Sequence, residues 1–146
     1  RAMGRARLLR SGNLAVIGAS GDLEEYDWDR QLIWSYSLPD PETFLHHDFI
    51  ELANGNYLVL ARENRETQTC YLEEVNRHRG VVWRWLSADH ADDFPTWNTE
   101  RNDPTHFNSI HELPPNRHFD AGDERFRPGN ILVSDTSNGL YVLTAR

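Results

Sequence analysis

The chain has 146 residues, 38% of them hydrophobic and 11% aromatic, so it is long enough and apolar enough to bury the core of one domain and is not a disordered tail. A formal net charge of −8 repels polyanions and argues against binding to nucleic acid or to acidic headgroups. No apolar run approaches the roughly 18 residues of a membrane helix, no signal-peptide pattern is present, and a single cysteine, Cys70, excludes an internal disulfide.

In chain order, the segment Leu9-Arg10-Ser11-Gly12-Asn13-Leu14-Ala15-Val16 reads as strand, Gly-Asn turn, strand. Gly21-Asp22 marks the next turn, and Glu24-Glu25-Tyr26-Asp27-Trp28-Asp29-Arg30-Gln31-Leu32-Ile33-Trp34 reads as strand, polar turn and a strand ending in Trp. The pattern then repeats. Leu52-Ala53-Asn54-Gly55-Asn56-Tyr57-Leu58-Val59 matches the first segment, and Asn54-Gly55 is a tight-turn signal because both residues tolerate positive φ. Glu73-Glu74-Val75-Asn76-Arg77-His78-Arg79-Gly80-Val81-Val82-Trp83 aligns on the second without a gap. A third copy resumes at Gly129-Asn130-Ile131-Leu132-Val133 and Asn138-Gly139, delayed by an insertion around His118 to Pro128, and runs to Leu140-Tyr141-Val142-Leu143.

Repeated units of about 40 to 50 residues with four strands are the mark of propeller blades. The expected fold is all-β: β-propeller blades built as four-stranded antiparallel meanders, about three in this chain, the third incomplete. The expected divisions are blade 1 over about 1–38, blade 2 over about 39–88, and a connection with incomplete blade 3 over about 89–146. Trp34 and Trp83 are the expected inter-blade packing residues. Three blades do not close a ring, since propellers use about four to eight. The open faces are therefore expected to meet further blades from another copy, another subunit or the rest of a longer chain, and two copies would make a six-bladed ring.

The first strand of each blade lines the channel of a propeller, so its start is where a site is sought. The second unit opens with Phe44-Leu45-His46-His47-Asp48-Phe49-Ile50-Glu51-Leu52, the third with Thr105-His106-Phe107-Asn108-Ser109-Ile110-His111-Glu112-Leu113. Aligning Leu52 with Leu113 sets His47 opposite Asn108, and strand alternation sets His106 and Asn108 on one face. His47, His106 and Asn108 are thus expected to converge on one opening as candidate site residues, with His46 beside them and with Arg125 and Arg127 of the insertion as candidates to reach an anionic ligand. The alternative for these histidines is hydrogen bonding to neighbouring strand ends, and for Asn108-Ser109 the pinning of a blade corner. Metal binding is a second alternative, because the imidazoles of His46, His47 and His106 have ligand chemistry, but no HExxH or comparable spacing is present, so no metal site and no cofactor are expected. The acidic stretches Asp89, Asp92, Asp93 and Asp120, Asp123, Glu124 lack calcium-loop spacing and read as solvated loops. Phe94-Pro95-Thr96-Trp97 is too apolar for a solvated loop and is expected to dock on another chain or close over the channel as a lid.

His46-His47-Asp48 followed by Asn54-Gly55-Asn56, together with Asp103-Pro104-Thr105-His106-Phe107-Asn108-Ser109, resembles the bacterial arylsulfotransferase family over roughly residues 40–143. The resemblance implies a six-bladed propeller that moves a sulfuryl group from an aryl sulfate to a phenol through a transiently sulfated histidine, without a nucleotide donor, in the periplasm or outside the cell. The resemblance makes His47, His106 and Asn108 the catalytic candidates, as donors to the sulfuryl oxygens, and His46 a sulfate-holding one. Ser134-Asp135-Thr136 stands where the family has Ser-Ser-Arg, and the later blade that carries the family's sulfated histidine is absent, so this chain taken alone is expected to lack a complete catalytic set. The expected activity is therefore that of an arylsulfotransferase-like propeller completed by further blades, and the alternative is a non-catalytic propeller module for protein interaction or assembly.

Overall fold

Short turns between apolar runs leave each strand no partner nearer than the next, and three antiparallel meanders result. The computed structural model describes residues 5–63, 68–94, 97, 103–136 and 139–143. The first sheet is β1 (Ala6–Leu8), β2 (Leu14–Ile17), β3 (Leu23–Tyr26) and β4 (Leu32–Tyr36), paired in that order. The second is β5 (Thr43–Glu51), β6 (Tyr57–Glu63), β7 (Cys70–Val75) and β8 (Val81–Leu86), again in order. The third holds β9 (Phe107–Glu112), β10 (Ile131–Asp135) and β11 (Gly139–Leu143) among the described residues.

The repeat extends to individual hydrogen bonds. Leu9 N donates to Asn13 O at 2.9 Å, Leu52 N to Asn56 O at 2.8 Å and Leu113 N to Asn130 O at 2.8 Å. Gly12, Gly55 and Gly129, at φ of 88°, 85° and 92°, each donate back to the leucine, a conformation that favours glycine. Leu113 and Gly129 thus close the same turn as Leu52 and Gly55, with the whole of 114–128 looped out between them. That insertion folds on itself: Asn116 caps the short helix α1 (Arg117–Asp120), and Asn130 Nδ2 donates to Arg125 O at 2.9 Å. The polar turns repeat as well. Asp27 Oδ1 accepts from the Asp29 and Gln31 amides, and Asn76 Oδ1 from the His78 and Gly80 amides. Trp34 then pairs with Glu25 and Trp83 with Glu74, each beside a register shift.

The sheets stack, with the second in the middle. Leu23, Trp34 and Tyr36 of the first sheet pack on Phe49, Tyr57, Val59 and Tyr71, while Leu58, Leu60, Leu72 and Trp85 pack on Phe107, Ile110, Ile131 and Val133 of the third. Residues 57–62 of β6 and all of β7 are buried because both faces of this sheet are covered. Trp34 is buried, its ring 4.9 Å from Tyr57 and its Nε1 donating to Arg77 O at 2.8 Å. Trp83 is only partly buried against the other core. The third sheet carries the smaller Ile131 at the place of Tyr57 after the turn.

Phe94 and Trp97 do not project as a lid or outward docking segment. After a 3-10 helix over Ser87–Asp93, Phe94 is buried between the second and third sheets, its ring 4.8 Å from Tyr141 and 6.2 Å from Phe107, with Trp97 packed at 6.0 Å. Burial in the core removes more of the Phe94 ring from water than a pose over an open channel would. Pro95 and Thr96 lie outside the described residues.

Candidate functional site

An unbroken strand would send His46 and His47 to opposite faces. It is broken here: Leu45 pairs with Ala61 and Phe49 with Val59, so His46, His47 and Asp48 together face the single residue Leu60. His47 takes the left-handed conformation, at φ 58°, that this bulge requires. The two imidazoles consequently lie together, ring centres 3.9 Å apart.

Asp48 holds the bulge from three sides. Its carboxylate is fully buried and accepts from Arg7 Nη2 at 2.8 Å, from the Phe49 amide at 3.0 Å and from the Ile110 amide of the third sheet at 3.1 Å. Arg5 Nε lies 3.3 Å away. One side chain therefore ties all three sheets at the depth of the histidines.

His106 arrives from the third sheet, just ahead of β9. Its amide donates to Asp135 Oδ1 at 3.2 Å, and its carbonyl accepts from Thr136 N at 3.0 Å. Thr105 before it is buried, with Oγ1 2.9 Å from Ser87 Oγ and its carbonyl accepting from Cys70 Sγ at 3.1 Å. These bonds set the His106 ring 5.0 Å from His46 and 5.3 Å from His47, with the Nε2 atoms of His47 and His106 3.2 Å apart.

Behind the imidazoles stands a charge pair that the sequence reading had not singled out. Leu58 and Leu60 point toward the third sheet, so Arg62 continues on that face. It is buried and reaches Asp103 Oδ2 at 2.7 Å. The same oxygen accepts from His106 Nδ1 at 2.5 Å. That bond puts the His106 proton on Nδ1 and leaves Nε2 to accept from His47 Nε2–H when His106 is neutral. The result is a chain of guanidinium, carboxylate, imidazole and imidazole.

Burial pushes the His46 imidazole down to about 3, helped by the neighbouring His47, His106 and Arg62. The same causes, burial first and then His106 and Arg62, lower His47. Both rings are therefore neutral at ordinary pH, with a lone pair on one nitrogen each.

Asn108 is not brought to the imidazoles by its hydrogen bonds. It is the extra residue of a bulge in β9, where Ser109 pairs with Ser134 and Phe107 with Asp135, so the alternation from His106 is lost. Its amide instead exchanges two bonds with Thr136 Oγ1, at 2.8 and 3.0 Å, and Ser109 Oγ lies 2.7 Å from Ser134 Oγ. Arg125 pairs with Asp123 and Arg127 with Glu124 inside the insertion, both arginines exposed. The insertion follows the far end of β9, roughly 20 Å along a six-residue strand from His106.

No protein-family model and no curated protein matches this chain.

Proposed function

We propose that the chain is a set of β-propeller blades whose histidine cluster transfers a sulfuryl group from an aryl sulfate to a phenol. The observation that carries this reading is His47, a neutral imidazole bonded through Nε2 to His106, whose other nitrogen is held by Asp103. Face-to-face packing of successive meanders supports the blades, and the sequence likeness over residues 40–143 supports the substrate class.

In this mechanism the Nδ1 lone pair of His47 attacks sulfur and the S–O bond to the aryl group breaks; His47 passes its Nε2 proton to His106 Nε2, and the imidazolium so formed hands that proton to the departing phenoxide, which leaves as the phenol. The acceptor phenol then gives its proton to His106 Nε2, which passes it back to His47 Nε2, as the phenol oxygen displaces His47 from sulfur and restores the resting pair. Asp103 keeps His106 oriented and stabilises the imidazolium that forms, the role a carboxylate plays behind any catalytic histidine. Arg62 supplies positive charge that the sequence Ser134-Asp135-Thr136 does not. In the family resembled, the sulfated histidine stands on a later blade; His47 is the imidazole of this chain whose surroundings suit that role.

The test is turnover of a chromogenic aryl sulfate with a phenol acceptor, measured on the wild type, His47→Ala and His106→Ala after the assembly state is fixed by solution mass. Turnover that disappears in both variants supports the reading. Turnover indifferent to either, or none in any assembly state, sinks it.

One observation favours the second reading, a module for assembly. The first sheet turns Leu8, Leu32 and Ile33 to solvent, 68%, 54% and 49% exposed, on and beside a face that no described sheet covers. A non-catalytic module would associate through this face and show no turnover.

A further inference from the structure

Three nitrogen ligands meet where the second and third sheets touch. One ring nitrogen from each of His46, His47 and His106 lies within 4.8 Å of the others. The Nε2 atoms of His47 and His106 are 3.2 Å apart. Two nitrogens on one tetrahedral zinc stand about 3.3 Å apart, given Zn–N bonds of about 2.0–2.1 Å. The His47–His106 pair already has that separation, and the third ligand, within 4.8 Å of the others, closes with a side-chain movement of up to about 1.5 Å.

Two groups around the cluster are otherwise unexplained. His46 is 9% exposed, and its Nδ1 is buried with no hydrogen-bond partner. Asp103 Oδ1 is likewise buried and unpartnered, although Oδ2 takes both Arg62 and His106. A carboxylate on the far nitrogen of a histidine is the arrangement that fixes the tautomer of a metal ligand and raises its basicity. The Asp103 charge also offsets Arg62, which would otherwise repel a cation. Neutral imidazoles without thiolates suit zinc, copper, nickel or cobalt, and not the oxygen-seeking calcium or magnesium. Spacing patterns could not reveal the set, because its members come from two sheets.

We propose that His46, His47 and His106 bind one divalent first-row transition-metal ion, Zn(II) being the probe, with a fourth position open to water or an exogenous ligand. This goes beyond sulfuryl transfer and competes with it, since an ion between the Nε2 atoms of His47 and His106 displaces the proton that those two rings would exchange during the transfer.

The experiment is metal titration of the full chain, without any aryl sulfate. Zn(II) is followed by calorimetry and Co(II) by its visible absorption, with Mg(II) as the control ion. The expected result is one equivalent bound, visible bands from cobalt coordinated by nitrogen, and no response to Mg(II). His46→Ala and His106→Ala should each abolish the bands while near-ultraviolet circular dichroism stays native. Asp103→Asn should weaken binding by about 10- to 100-fold. Should a histidine variant lose its native dichroism, His106→Gln replaces it in the same titration. Absence of saturable binding, or binding untouched by the His46 and His106 changes, overturns the proposal. A chain that binds zinc but never turns over aryl sulfate would refute only the sulfuryl reading, and a chain that turns over but binds no metal would refute only this one.

Discussion

Replacing Asp48 by alanine should cost more stability than any other single polar change among the described residues. The carboxylate is fully buried, and its loss strands the Phe49 and Ile110 amides. An unsatisfied buried donor costs about 1–3 kcal/mol. Arg5 and Arg7 are 47% and 31% exposed and partly rehydrate, so their loss is discounted for solvent screening. Removing one partner of a buried pair costs about 3–5 kcal/mol, which agrees with the two stranded amides and a screened ion pair. At about 2–4 °C per kcal/mol for a chain near this size, the melting temperature should fall by roughly 10 °C. Asp48→Asn keeps one carbonyl oxygen and should lose about half as much, since one of the two amides retains its acceptor. Urea unfolding of the three proteins measures the difference. A loss below about 1 kcal/mol in Asp48→Ala, at an unchanged urea slope, would refute the view that this residue clamps three sheets.

Trp34→Ala should destabilise by about 3–5 kcal/mol, whereas Trp28→Ala, 71% exposed, should stay within about 1 kcal/mol; paired urea titrations check both. Burial pushes the Glu25 carboxyl up, but hydrogen bonds from Arg77, Asn13 and Tyr57 outweigh it and hold the group below its ordinary 4.5. A depressed folded value means stability fully present above pH 4.5 and lost as pH falls through the folded value, so Glu25→Gln should be less stable near neutrality and lose less on acidification. Urea midpoints that fall in parallel for the two proteins would contradict this. Burial pushes the Cys70 thiol up to about 12, so iodoacetamide at about pH 8 should modify it only after denaturant is added, as mass spectrometry would show.

The meanders were legible because hairpin chemistry is local. Asn54-Gly55 and its counterparts state their turns in two residues, and the third turn stayed readable across the insertion because Leu113 and Gly129 keep their identities. The site was legible only in part. His47 and His106 could be named from their places at strand starts, but alternation gave the wrong geometry around them. Bulges at His46–Asp48 and at Asn108 reset the facing of both strands, gathering His46 into the cluster and turning Asn108 to Thr136. A register shift leaves no mark that period-two reasoning detects. Arg62 was overlooked although its signal was present: it continues the face of Leu58 and Leu60 in a strand buried on both sides, where an arginine needs a carboxylate. Asp103 sits in the quoted motif, and only the fold shows that it answers Arg62 and His106 together.

The cluster and the stack depend on one another. His46 and His47 belong to the second sheet and His106 to the third, so their separation is fixed by how those sheets dock and by no single hairpin. The docking is polar as well as apolar at this point: Asp48 accepts from the Ile110 amide across the interface, and Thr105 seats the residue before His106 on Cys70 and Ser87. A substitution that loosens these bonds without touching an imidazole, such as Thr105→Val, removes the hydroxyl from Ser87 while keeping the shape. It should therefore widen the His47–His106 gap before it unfolds the chain, because the strands themselves are held by their own ladders. The nitrogen chemistry of the site is a property of sheet packing, which is why neither half of the sequence carries it alone.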